Sequence, residues 1–406
     1  MTAVTAFDSG ALRAEAAEFG AELTALRRAI HREPEIGLDL PRTQAAVLAA
    51  LADLGLEITT GTALTSVTAV LRGATPGPVV LLRADMDALP LDEPAGLEYA
   101  STNGAMHACG HDLHTAALVG AARLLAARRA EIAGAVIFMF QPGEEGYDGA
   151  GHMLAEGVLD AAGTRPVAAF ALHNGPGEAG LFVTRPGPIL AGNAELTITV
   201  HGRGGHGSQP HSARSPVPAV AALVPALESM VAREFSVFDP VVLTVTRLRA
   251  GEAINVIAGT AELGATVRMV SPDAAARLPG AVTAVAEAVA AAHGVTAEVD
   301  YAEGYPVTVN DTAVTAEAVA DLTAMFGAER MLAMPDPAMG SEDFSRILAE
   351  IPGCYVFLRS SPPEVDPATA AVNHSPQVLF DDAVLPDQAA ALAGLALGAL
   401  ARAAAD

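Results

Sequence analysis

Apolar residues recur at helical spacing near the start of the chain, at Leu12, Phe19, Leu23, Leu26 and Ile30, and predict one long helix with Ser9 as its N-cap. Glu33-Pro34 ends it, because the residue before a proline is driven out of the helical region. Short apolar runs follow at 79–82, 135–140, 167–172 and 354–358, separated by helical patterns such as 115–129. These runs are continuous rather than alternating, which predicts strands buried on both faces of a sheet covered by helices. Three of them lead straight into polar residues: Arg83-Ala84-Asp85-Met86-Asp87, Gln141-Pro142-Gly143-Glu144-Glu145 and His173-Asn174. In an open α/β sheet, functional groups gather outside the carboxyl ends of the strands. The pattern therefore predicts Asp, Glu and His side chains converging on one rim.

The pattern changes at 193–301. Leu196, Ile198 and Val200 alternate with Glu195, Thr197 and Thr199, the signature of a half-exposed strand. A helix pattern at 215–235, strand patterns at 241–249 and 260–270, an Ala-rich helix at 273–293 and a strand at 295–301 complete the order β-α-β-β-α-β. That order is a ferredoxin-like α+β unit. The expected organisation is a catalytic domain at 1–190 and 303–406, interrupted by a domain at 191–302. The longest apolar tract, 389–401, is too short to span a bilayer and predicts a packed C-terminal helix. Residues 1–8 show neither a basic nor an apolar signal region, so no secretory leader is expected.

Composition removes whole classes of function. The chain contains no Lys, and a Schiff-base enzyme, a pyridoxal-phosphate enzyme and a P-loop nucleotidase each need one. With 47 acidic against 23 basic residues the net charge is −24, which argues against nucleic acid or an anionic membrane as partner. Two cysteines, Cys109 and Cys354, make no disulfide framework and suggest a reducing, cytoplasmic setting.

The densest chemistry is His107-Ala108-Cys109-Gly110-His111-Asp112-Leu113-His114. A lone His is ordinarily a hydrogen-bonded core or surface residue. Three His, a Cys and an Asp in one short run are the ligand types that hold Zn, Mn, Co or Ni. Glu144-Glu145 would ordinarily be a solvated turn, but it follows a buried strand. Metal-assisted hydrolysis needs one carboxylate on the metal and another to take a proton from water. His173-Asn174 and Asn373-His374 each add one imidazole. Glu342 and Asp343, in Gly-Ser-Glu-Asp-Phe at 340–344, read as the first turn of a helix. Ser341 has no G-x-S-x-G elbow around it and is no nucleophile. The Gly-rich segment 202–208 is followed by Pro210 and no helix, which excludes a dinucleotide fingerprint. Asn255 and Arg268 stand as polar groups in apolar surroundings, and the Arg fork suits a substrate carboxylate.

Together these residues resemble the M20 metallopeptidase family, in its amidohydrolase branch of hippurate hydrolases, N-acyl-amino-acid aminoacylases and indole-acetyl-amino-acid hydrolases. The resemblance rests on RADMDALP at 83–90, HACGHDLH at 107–114, QPGEEG at 141–146, His173-Asn174, GRGGHGSQP at 202–210, INVI at 254–257, GSEDF at 340–344 and NHSP at 373–376. It implies a zinc-peptidase-like α/β catalytic domain with a mostly parallel sheet between helices, and an inserted ferredoxin-like lid and dimerisation domain. It implies two divalent ions, of Zn, Mn, Co or Ni, held by Cys109, His111, Glu145, His173 and His374. Glu144 is then the general base, Asp87 orients a ligand from behind, and His206 donates to the scissile carbonyl oxygen from a second subunit. Asn255 and Arg268 would hold the carboxylate of an N-acyl amino acid. Asp85 stands where the wider family has His, which leaves its role open. The implied partner set is a small-molecule substrate and a second copy of the chain. A dipeptidase or carboxypeptidase using the same centre is the near alternative; a metal-binding protein without activity is the distant one.

Overall fold

The four buried apolar runs become strands of one eight-stranded sheet in the computed structural model, which describes residues 7–94 and 96–405. In spatial order the strands are Glu57–Thr60, Val67–Arg72, Ala133–Gln141, Thr75–Asp85, Ala168–Glu178, Gly353–Ser361, Phe182–Thr184 and Met331–Ala333. The four central ones, Ala133–Gln141 to Gly353–Ser361, run parallel to one another. Val80, Leu82, Val136, Phe138 and Phe170 are buried, as continuous apolar runs require. The outer pairings of Glu57–Thr60 with Val67–Arg72 and of Val67–Arg72 with Ala133–Gln141 are antiparallel.

The expected N-terminal helix is two helices, Ser9–Glu18 and Gly20–Arg32, broken at Phe19 with φ −106° and ψ 15°. Its cap is Asp8, whose carboxylate accepts from the Ala11 N–H at 3.0 Å, rather than Ser9. The apolar periodicity continues across the break, so spacing alone could not show it. The helix His111–Ala127 is buried nearly all round, and the C-terminal helix Leu385–Ala405 packs against it. That last helix is longer than its apolar tract. By length and composition 382–405 and Pro272–Ala292 could each cross a membrane. Here the first buries Leu392, Leu395 and Leu400 in the core, and the second buries Ala274, Leu278, Val282, Ala286 and Ala290, spaced by four along one face.

Contacts divide the chain into two units. One comprises the chain up to Ile189, with Val309–Pro335 and Arg346 onward; the other comprises Leu190–Thr308 and Asp336–Ser345. The second unit has four antiparallel strands in the order Val241–Ala250, Thr260–Met269, Gly192–His201 and Thr296–Glu303. Its helices are Val217–Glu234 and Pro272–Ala292. Leu196, Ile198 and Val200 face its core while Glu195 is exposed, as the alternation requires. The unit runs beyond 302, and it takes in Asp336–Ser345 because Ala191 N–H donates to Ala338 O at 2.9 Å.

Candidate metal centre

Register gathers the polar strand ends in the first unit. Asp85 lies opposite Gln141, and Arg83 lies opposite Ala171, two residues before His173. Glu144 and Glu145 follow Gln141 through Gly143, which holds φ 75° and whose added Cβ would stand 2.5 Å from Leu38. Cys109 precedes the helix His111–Ala127, whose N-cap, Gly110, holds φ 82°. His374 also has a left-handed backbone, φ 69°, and its N–H donates to Ala108 O at 3.0 Å. A residue with a side chain in this region is uncommon, and such positions concentrate at functional sites.

The donor atoms cluster. Those of Cys109, His111 and His173 lie within 4.8 Å of one another, and so do those of Cys109, Glu145 and His374, and of His111, Glu144 and Glu145. Cys109 is shared by two groups. Its Sγ is 3.4 Å from His173 Nε2, and His374 Nε2 is 3.1 Å from Glu145 Oε1. His173 Nδ1 donates to Asn174 O at 2.8 Å, which leaves the lone pair on Nε2 turned toward Cys109. Both ring nitrogens of His111 are buried without a hydrogen bond among the described residues; Asp87 Oδ1 stands 3.4 Å from Nδ1. A buried polar atom left unmet costs about 1–3 kcal/mol. A thiol, three imidazoles and two carboxylates with such atoms among them fit divalent metal ions.

The charges within this cluster offset one another. Burial works against charge on His111, yet Asp85 and Cys109 hold it well above the usual imidazole range. His374, hydrogen-bonded to Cys109 and Glu145, is pushed up to about 10. Burial, then His114, drives His173 well below the usual range. Burial is the largest influence on Glu145 and opposes its charge, but the His374 hydrogen bond together with the charges of His111 and His374 outweighs it and lowers the group.

Two carboxylates brace the ligands. Asp87 Oδ1 and Oδ2 accept from the backbone N–H groups of Glu144 and Glu145, each at 3.0 Å. Asp85 accepts from Arg83 Nη1 and from His114 Nδ1, both at 2.5 Å. His114 Nε2 in turn accepts from the Asn174 N–H at 2.8 Å. Asp85 thus ties one strand, through His114, to the backbone next to His173. Sequence reasoning left this relay unassigned. Its signals were Arg83 and Asp85 on one strand face by period two, and His114 inside the densest motif.

The structure brings together Cys109, His111, Glu144, Glu145, His173, His374 and Asp87 in the first unit. His206, Asn255 and Arg268 belong to the second. His206 is exposed, on a two-residue strand paired with Val256–Ile257, and its Nδ1 is 2.8 Å from Ser208 Oγ. Asn255 is not in apolar surroundings: it is exposed, and so are its neighbours Ile254 and Val256, because the segment is an open loop and a short strand. Arg268 is half-buried and donates to Thr266 Oγ1 at 3.2 Å and Val267 O at 3.0 Å. Glu342 and Asp343 are buried and precede the helix Phe344–Glu350 instead of forming its first turn; Glu342 Oε1 accepts from the Phe344 N–H at 2.9 Å.

The profile of peptidase family M20/M25/M40 matches residues 81–398. Thermostable carboxypeptidase 2 of Saccharolobus solfataricus is 35% identical over 92% of this chain and 94% of its own length. N-acetylcysteine deacetylase of Bacillus subtilis is 36% identical over 84% of this chain and 88% of its own. The crystal structure of the Bacillus subtilis YXEP protein, described as a dinuclear metal binding peptidase from the M20 family, superposes with a TM-score of 0.82 at 32% identity. It covers 95% of this chain and 99% of that one.

Proposed function

The chain belongs to peptidase family M20/M25/M40 and is a metal-dependent hydrolase of amide bonds, and from that premise we propose that it cleaves N-acyl L-amino acids to a carboxylate and a free amino acid. The observation that carries the reading is the Glu144 carboxylate, buried beside His111 and Glu145 at the edge of the ligand cluster. In this proposal Cys109, His111, Glu145, His173 and His374 would hold two divalent ions, with the Cys109 sulfur common to two of the ligand groups. When bound, the ions supply Lewis acidity, which acidifies a water and polarises the amide carbonyl. Glu144 takes the proton of the attacking water and delivers it to the leaving nitrogen. Asp87 fixes the loop that aims Glu144 through its two backbone hydrogen bonds. His206 is assigned the hydrogen bond to the carbonyl oxygen from a second copy, and Asn255 and Arg268 the amino-acid carboxylate.

The N-acetylcysteine deacetylase relative supports the acyl substrate, while the carboxypeptidase relative favours a peptide. A panel of N-acetyl and N-benzoyl amino acids against dipeptides and C-terminally free peptides, run with Zn, Mn, Co and Ni and after chelation, separates them. The expected result is metal-dependent release of amino acid from the N-acyl set. Turnover confined to peptides with a free amino terminus would replace this reading with a dipeptidase.

A further inference from the structure

We propose that Arg359 forms an anion subsite beside the metal-ligand cluster and selects substrates carrying a second carboxylate; this rests on the amide-hydrolase reading above. The strand Gly353–Ser361 runs parallel to Ala168–Glu178, with Phe357 opposite His173 and Arg359 opposite Gly175. Paired residues on neighbouring strands share a face, and so do residues two apart on one strand. Tyr355, Phe357 and Arg359 therefore share the face of His173. The rings agree: Phe357 and Tyr355 lie 5.9 Å and 6.0 Å, centroid to centroid, from His173.

The guanidinium lies along this face toward the rim. A Cβ on Gly175 would stand 3.5 Å from Arg359 Nη1, and one on Gly177 would stand 2.9 Å from Arg359 Cδ. The two glycines leave the trough in which the side chain rests. Nη1 donates to Pro176 O at 2.7 Å. Among the described residues no carboxylate pairs with this group, and burial alone pulls its pKa down. By contrast Arg27, Arg83, Arg128 and Arg402 each meet an acid, while the half-buried Arg185 and Arg268 share with Arg359 the lack of one among the described residues. Arg359 is half-buried, as is Phe357, so the fork keeps donors open on the side facing solvent.

Phe357 followed by Arg359 is an apolar wall ending in a cation. Two strand residues separate the levels of His173 and Arg359, roughly 6.6 Å. The ligand this fits is an amide with an apolar spacer of about two to four carbons ending in a carboxylate, since the Arg fork meets two oxygens at once. Such a carboxylate can sit on the acyl group or on the amino-acid side chain.

The test compares kcat/KM for N-succinyl-L-alanine and N-acetyl-L-glutamate, each relative to N-acetyl-L-alanine, in the Mn-loaded wild type, Arg359→Gln and Arg359→Lys. Loss of a charge-assisted hydrogen bond should lower one of the two ratios about 10- to 100-fold in Arg359→Gln, mainly through KM, with partial rescue in Arg359→Lys. The ratio that moves identifies the side of the amide that carries the anion. Ratios that stay put, or an equal loss on all three substrates, overturn the inference and leave the hydrolase reading standing. Calorimetry with succinate and propionate decides the subsite without turnover. A succinate preference at least tenfold greater in wild type than in Arg359→Gln supports it, and equal preferences overturn it. Wild type that binds succinate through Arg359 but hydrolyses no amide would overturn the function and keep the subsite.

Discussion

Two buried polar clusters lie one residue apart in sequence and differ in how they are satisfied. His111 belongs to the rim cluster, and among the described residues its buried ring nitrogens find no hydrogen-bond partner. Asp112 belongs to a cluster built around Arg27. There, Arg27 Nε donates to Asp112 Oδ2 at 2.6 Å, and Nη1 donates to the Tyr99 hydroxyl at 2.8 Å and to Asp382 Oδ1 at 3.1 Å. His31 stands 2.7 Å from Asp112 Oδ2 and 3.0 Å from Glu93 Oε1. Among the described residues, Asp112 Oδ1 is its one unmet carboxylate oxygen. The charges of the second cluster answer one another and fix the fold; those of the first leave donor atoms for something that is not side chain. Ligand-type residues alone do not mark a site. Unmet atoms that converge on one point do: His107, beside the second cluster, also has both ring nitrogens unmet among the described residues, but it joins no group of converging ligand atoms.

The largest effect that would sharpen this contrast is on turnover. Glu144→Gln should lower kcat by about 10²–10⁴ while metal content, measured by elemental analysis, holds. Unchanged turnover would remove Glu144 from the chemistry. Next comes Arg27→Met, which strands Asp112 in the interior. Breaking a buried pair costs about 3–5 kcal/mol, so the melting temperature should fall sharply, and by a similar amount with metal and after chelation. If the loss appeared only in the metal-loaded protein, the two clusters would be one.

How much of this was readable in the chain depends on what each feature needs. The central strands announced themselves as unbroken apolar runs, because burial on both faces leaves no polar position. The strands Phe182–Thr184 and Met331–Ala333 escaped, since three residues carry no period. The ligand types in 107–114 were legible from their density and those at 144–145 and 173 from their place after strands, while His374 became a ligand only through the family resemblance. Arg27, His31 and Glu93 were not: they lie 85, 81 and 19 positions before Asp112, and only the fold makes them neighbours. Asp85 could be placed at the rim from sequence, but its partner His114 arrives on a separate helix. Asn255 misled for the opposite reason, because apolar neighbours in sequence are no guide to burial in a loop.

Asp85→Asn probes the border between the clusters. The amide would turn a donor toward either Arg83 or His114, both of which already donate. Groups that orient metal ligands from behind are worth about 10–100-fold in metal affinity. That loss should appear in competition with a chelating dye, with a modest change in melting temperature after chelation. Intact affinity with a collapsed fold would assign Asp85 to the structural cluster instead.

The smallest effect is one of pH, at His31. Asp112, Glu93, Arg27, the Tyr99 ring and the His107 ring surround it. Burial is the largest influence and opposes its charge; Asp112 and then Glu93 outweigh burial, while Arg27 works against them, and the net effect is upward. A raised folded-state pKa means that protonation favours the fold. The stabilisation is therefore complete below the unfolded value of about 6.5 and fades as pH rises through the folded value. His31→Gln removes this contribution. After chelation, the gap in melting temperature between wild type and His31→Gln should be widest near pH 6 and should narrow toward pH 9, by a few degrees at most in a chain of this size. A gap that widened with rising pH would mean that His31 is held neutral between its two carboxylates, and the second cluster would then carry an unanswered negative charge.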